Sequence, residues 1–141
     1  MLKILLFKEA ISNMNIFSKE WIEVFNEKLK KDDDFQEKAQ GFDSKFQFVI
    51  EPDLSAGVSE NLSFGINLPQ CDEVWYGIKP EKEVDIILQG KYGNLQSVIF
   101  GKTMLLVALA SGKLKLKKGG QAKLVAYMGA INRFLEVARG V

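Results

Sequence analysis

Two periods divide this chain. Between Ser18 and Lys31 the apolar residues Trp21, Ile22, Phe25 and Leu29 recur at the three-and-four spacing of a helix with one buried face. Ser18 stands where its hydroxyl can accept from the free amides of the first turn, and Glu20 and Glu23 suit the positive end of the helix. Asp32-Asp33-Asp34 comes next. It lacks the alternating ligands, central glycine and terminal Glu of a hand-type calcium loop, and it reads as a solvated turn that caps a short helix through Asp34.

From Lys45 the period becomes two. Phe46, Phe48 and Ile50 alternate with Gln47, Val49 and Glu51 until Pro52-Asp53 stops the run, and Leu62, Phe64, Ile66 and Leu68 form a second alternating face. The connection from Leu54 to Glu60 is irregular, with Ser55, Gly57 and Ser59. A third strand is expected between Glu73 and Lys79, where Val74, Tyr76 and Ile78 point one way, Trp75 the other, and Pro80 closes the run.

The later part places two strands, Val84–Leu88 and Gly112–Lys117, around a long apolar stretch with Gly-Lys pairs. Gly101 is expected to end a helix in the left-handed conformation, with Lys102 near its carbonyls. The end of the chain reads as one long helix from Gln121 to Arg139. Its stripe is Leu124, Met128, Ile131, Leu135 and Ala138, with Arg139 at the negative end and Gly140 as the stop.

This order of elements resembles the sterol carrier protein type 2 family. The residues that carry the resemblance are the strand Val84 to Gly90, the helix Lys91 to Gly101-Lys102, the short helix Thr103 to Ala110, the strand Ser111-Gly112-Lys113-Leu114-Lys115-Leu116, and the final helix. The family's usual Gly-Asp after the last strand is Lys118-Gly119-Gly120 here. The resemblance implies an α/β (α+β) domain with a mixed, mainly antiparallel sheet of about five strands covered by helices. It also implies that a lipid is held in a tunnel between sheet and helices.

Length and composition agree with one domain spanning residues 1–141, with residues 1–16 as an N-terminal extension. A chain of 141 residues buries roughly 70% of its unfolded surface, and a hydrophobic fraction of 47% with 26% charged residues fits a soluble globule. Met1 to Phe7 is too short for a bilayer span and lacks the features of a secretory signal, so it reads as an extra strand, a helical turn or an interaction tail. Nineteen basic against 18 acidic residues leave a charge of +1, which selects no nucleic acid and at most transient membrane contact. A single cysteine, Cys71, points to the cytoplasm. A homodimer or a partner protein stays open.

Missing chemistry argues against an enzyme. The absence of histidine removes the commonest general base near neutral pH and, with one cysteine, the usual structural zinc sets. Cys71 beside Asp72 has nothing to make a thiolate and reads as inert. Gly101-Lys102-Thr103 is no phosphate loop, since Gln96 stands where the upstream glycine is needed. Glu81 and Glu83 read as a solvated approach to a strand, and Lys113, Lys115, Lys117 and Lys118 as the outer side of an edge strand, without the aromatic platform of a single-strand binder. No metal and no cofactor is expected.

What remains is a surplus of apolar surface, because Val98-Ile99-Phe100 and Leu105-Leu106-Val107 cannot lie on one narrow stripe. These residues either complete a solid core or line a slot for a nonpolar molecule, and the resemblance favours the slot. The candidate ligand-binding residues are Phe64, Ile66, Trp75, Tyr76, Ile99, Phe100, Leu105, Leu106, Leu124, Met128 and Phe134. The expected activity is noncovalent binding or transfer of a fatty acid, acyl-coenzyme A, isoprenoid or sterol-like body. The alternative is an accessory domain of a larger lipid-metabolising assembly, without a ligand of its own.

Overall fold

Burial of the two predicted alternating faces against one another's neighbours builds a five-stranded sheet covered by helices on one side. The computed structural model describes residues 16–141. The expected strand, turn or tail at Met1–Phe7 lies outside the described residues. Ile16 and Phe17, at the margin of the expected extension, are already buried in the core.

The elements are α1 (Lys19–Lys31), α2 (Asp33–Lys38), β1 (Ser44–Glu51), β2 (Phe64–Leu68), β3 (Val74–Tyr76), β4 (Ile86–Lys91), α3 (Tyr92–Ile99), α4 (Leu105–Ala110), β5 (Leu114–Lys118), α5 (Gln121–Ala126) and α6 (Met128–Arg139). Strand order is β3-β2-β1-β4-β5. All neighbours are antiparallel except β1 and β4, which run parallel. The mixed sheet is the one expected.

Register aligns the apolar positions. Phe46 faces Ile66 and Ile86 on its two neighbouring strands, and Phe48 faces Phe64 and Leu88, so one face of the sheet is continuously hydrophobic. The helices cover that face. Gln47 lies on the other side, opposite Gly65 and Ile87. Trp75 reaches across Gly65, where an added Cβ would sit 2.0 Å from the indole, and Trp75 Nε1 donates to Gln47 Oε1 at 2.9 Å. Lys79 N–H donates to the same oxygen at 2.8 Å, which pins the segment after β3 across the outer face. Trp75, Val84, Ile87 and the half-buried Val49 make a small second cluster there.

Several local expectations change. The strand expected at Val84 begins at Ile86, because Asp85 is an anchor: its N–H donates to Lys45 O at 2.9 Å, and its carboxylate accepts from Lys45 N–H at 2.8 Å. Ser18 caps α1 as expected, accepting from Trp21 N–H at 3.2 Å. The cap of α2 is Asp32 and not Asp34; Asp32 Oδ2 accepts from Phe35 N–H at 2.8 Å. The acidic run is also no freely solvated turn, since the Arg133 guanidinium grips Asp32 with bonds of 2.7 and 2.8 Å.

The C-terminal segment is two helices, not one. Tyr127, with φ −106° and ψ 25°, breaks it between α5 and α6. Its ring packs edge-on to Phe42 at 5.2 Å, and its hydroxyl fills the space beside Gly41, so the side chain's own packing holds the break. The break also rotates the buried stripe: Ala130, Ile131, Phe134, Val137 and Ala138 of α6 are buried, while Met128 and Leu135 are only half-buried. Gly101 is left-handed at φ 76°, as expected. The cation at the end of α3 is Arg139, however, which donates to Ile99 O at 2.8 Å and so ties α6 to α3.

Candidate functional site

Ring packing between α6 and the centre of the sheet defines an apolar seam. Phe46 and Phe48 on β1 stack at 4.6 Å, Phe48 stacks on Phe64 of β2 at 5.0 Å, and Phe134 of α6 lies over Phe48 at 5.6 Å. Phe25 of α1 meets Phe134 edge-on at 4.8 Å. Phe17, just before α1, lies edge-on to both Trp21 and Tyr92. These contacts are side-chain consequences of the two periods: the strands deliver every second residue, and α1 and α6 deliver one residue per turn.

The gap left among them is small, about 40 Å³. All 18 of its lining side chains are hydrophobic and nine are aromatic, so apart from the Trp21 indole the wall has no hydrogen-bonding side chain for a polar guest. The wall comes from α1, α2, β1, β2, β4, α3, α4 and α6, with contributions from the segments beside them. A water claims about 30 Å³ in the liquid, and drug-sized pockets run to about 300 Å³ or more, so the seam holds no long molecule as it stands.

Of the residues expected from sequence, Phe64, Ile99, Leu105 and Phe134 line this gap together. Ile66 and Leu124 are wholly buried but outside the wall, and Leu106 and Met128 are half-buried outside it. Phe100 is exposed at the end of α3. Trp75 belongs to the opposite face of the sheet, because the alternation of β3 sends it away from Val74 and Tyr76. Tyr76 is also exposed, and its hydroxyl donates to Glu23 at 3.0 Å. Phe17, Trp21, Phe25, Phe42, Phe46 and Phe48 line the gap without having been singled out for it. A signal existed for Phe46 and Phe48, which share parity with Phe64 on neighbouring strands.

Titratable chemistry lies elsewhere. Burial pushes the Cys71 thiol up to about 12, with a smaller contribution from Asp72, and the seam is not lined by it. Partial burial, then the Glu23 carboxylate, push the Tyr76 phenol up to about 12. Among the described residues no group of His, Cys, Asp and Glu is placed to hold a metal ion, and no helix is long and apolar enough to cross a membrane.

Comparison with solved structures decides the fold. A sterol carrier protein 2 superposes with a TM-score of 0.77 at 26% identity, covering 90% of this chain and 99% of its own. The chain has the sterol carrier protein 2 fold. A conserved hypothetical protein from Thermus thermophilus, described as possibly a sterol carrier protein, matches with a TM-score of 0.75 at 25% identity over 91% of this chain and 90% of that one. Apo sterol carrier protein 2 from Yarrowia lipolytica shares the fold at 21% identity and a TM-score of 0.59, over 84% and 89% of the two chains. No protein-family model and no curated protein matches the sequence. In this sterol carrier-like fold the apolar seam lies between the sheet and α1, α3 and α6, where the resemblance leads one to expect the tunnel.

Proposed function

We propose that the chain binds a hydrophobic small molecule noncovalently, in a tunnel that opens from the seam between sheet and helices. The observation that carries this reading is the seam's wall: 18 hydrophobic side chains around an unfilled gap, with no polar group among them except the indole N–H of Trp21. Its setting in a sterol carrier-like fold supports the same reading. The ligand class is a lipid: a fatty acid, an acyl-coenzyme A, an isoprenoid or a sterol-like body.

Energetics fit a long apolar guest. Ten buried methylenes contribute roughly 8 kcal/mol at about 0.8 kcal/mol each, and association costs of about 4 to 15 kcal/mol offset most of that. A long chain or a large rigid body is therefore required. The resting gap of about 40 Å³ is several-fold too small for such a guest, so binding in this reading requires the seam to widen. The binding residues in this reading are Phe64, Ile99, Leu105 and Phe134, with Phe46, Phe48, Trp21 and Phe25 around them. No bond-breaking step is part of it, and a cytoplasmic location goes with it.

The small size of the gap favours a second reading, an accessory domain whose interior is simply its core. Solvent extraction of gently purified protein separates the two. A lipid recovered in near-equal amount with the chain supports the carrier; no lipid, and no uptake of offered fatty acid, supports the accessory domain.

A further inference from the structure

Helix α4 has no polar side chain: its sequence is Leu105-Leu106-Val107-Ala108-Leu109-Ala110, preceded by Met104. One side of it is occupied. Leu105 and Ala108 are buried, and Leu105 reaches the seam. The other side stands in solvent, with Met104 72% exposed, Val107 54% exposed, and Ala110 in line one turn further on. Phe100, at the corner before α4, is 44% exposed. A helix that is apolar all round is ordinarily covered all round, and adjoining exposed hydrophobics mark a contact surface.

Charge identifies what covers it. From Ile86 to Leu135 the chain carries eight basic side chains and no Asp or Glu; Lys118, Lys123 and Arg133 are engaged elsewhere, on the Glu81 and Val84 carbonyls, on Ser44 and on Asp32, which leaves Lys102, Lys113, Lys115 and Lys117 as the exposed cations before and after α4. The whole chain has a charge of only +1, so this segment is strongly polarised against the rest. Lys102 precedes α4, and the exposed Lys113, Lys115 and Lys117 follow it on and beside the edge strand β5. A surface groove beside β5 is lined by Leu109 of α4 together with Lys115, Lys117 and Gln121. A nucleic acid has no use for Met104 and Val107, and an uncharged apolar partner has none for the lysines. An anionic bilayer answers to both, its acyl boundary to the apolar side chains and its headgroups to the cations.

We propose that the outer face of α4, flanked by Lys102 and the β5 lysines, docks on an anionic lipid bilayer. The surface is independent of whether the seam takes a guest. Its position has a consequence for loading, because Leu105 lines the seam from the inner side of the same helix.

Sedimentation of the full chain with vesicles tests this, using phosphatidylcholine alone and phosphatidylcholine mixed with phosphatidylglycerol. Binding should be at least about tenfold stronger to the anionic vesicles and should weaken with salt. Met104→Asp with Val107→Asp, and separately Lys102→Glu with Lys115→Glu, should each lower it about tenfold. Leu54→Asp, at a hydrophobic residue 82% exposed elsewhere, should leave it unchanged. All these positions are exposed, so melting temperatures should stay near wild type and a folding defect would be recognised. No vesicle binding, equal binding to neutral vesicles, or indifference to either pair would overturn the proposal. So would duplex DNA binding that needs only the lysines, or a dimer dispersed by the Met104 and Val107 substitutions. Because empty protein can be used, failure here leaves lipid uptake by the seam standing, and failure of uptake leaves docking standing.

Discussion

The ring of Phe134 lies almost parallel to that of Phe48, with centroids 5.6 Å apart and planes 12° apart. The last helix and the central strand therefore meet ring to ring, and Phe25 closes the contact edge-on from α1. Phe134→Ala should cost about 3–5 kcal/mol, the usual loss for a buried ring, and should enlarge the gap. Denaturant unfolding checks the first effect. Increased binding of a small apolar probe such as benzene checks the second, and unchanged stability would mean that α6 is held by something other than this stack.

Gln47 binds three groups on the outer face: it accepts from Trp75 Nε1 and Lys79 N–H, and its own amide donates to Lys79 O at 3.2 Å. Replacement by leucine leaves the Trp75 N–H without a partner in a buried place, and the Lys79 backbone groups without one at a half-buried place. Gln47→Leu should destabilise by about 1–3 kcal/mol, chiefly through the buried indole N–H left unpaired. A shift in the indole fluorescence of Trp75 should accompany the loss, since its N–H is then freed. Lipid uptake should survive in the folded fraction, because this network lies on the face away from the seam.

Asp32 supplies a pH dependence. The Arg133 guanidinium, aided by the Phe35 amide and opposed by partial burial, holds its carboxyl below the ordinary value of 3.8. A lowered carboxylate stabilises the fold above its unfolded pKa, and that contribution is lost as the pH falls through the folded one. Stability should thus decline below about pH 4. Arg133→Gln should flatten the Asp32 part of that decline, measured as unfolding free energy against pH, while the curve near neutrality keeps its shape.

Much of this fold was legible from period alone. The alternation at Phe46–Ile50 and Phe64–Leu68 marked two strands with their buried faces, and the spacing from Trp21 to Leu29 marked α1 with its Ser18 cap. The break at Tyr127 was not legible, because no proline marks it, Gly129 already lies inside α6, and the cause is a ring packed on Phe42, a long-range contact. The pairing of Asp32 with Arg133 spans 101 residues and leaves no local trace. The seam was half legible. Phe64, Ile99, Leu105 and Phe134 follow from hydrophobic surplus, whereas the side of the sheet that Trp75 occupies depends on which face the helices cover.

Cys71 should behave as a protected thiol. Its side chain is buried, and its pKa is pushed up to about 12 from an ordinary value of 9.0, chiefly by that burial. Folding then favours the neutral thiol. The contribution is present below pH 9 and is lost as the pH rises toward 12. A thiol reagent at pH 8 should label native protein far more slowly than unfolded protein; equal rates would contradict the burial.

Filling the seam tests the carrier reading where it is most exposed. Ala130 is buried in the wall, so Ala130→Leu places three more carbon atoms where a guest has to begin. Overpacking costs about 1–3 kcal/mol, which a folded variant can bear. Met128→Ala, outside the wall, serves as the comparison. The measurement is native mass spectrometry after incubation with a long-chain fatty acid. A one-to-one complex is expected for the wild type and for Met128→Ala, and at least about tenfold less for Ala130→Leu at equal folded concentration. A wild-type chain that takes up no fatty acid, isoprenoid or sterol and carries none from purification contradicts the carrier reading.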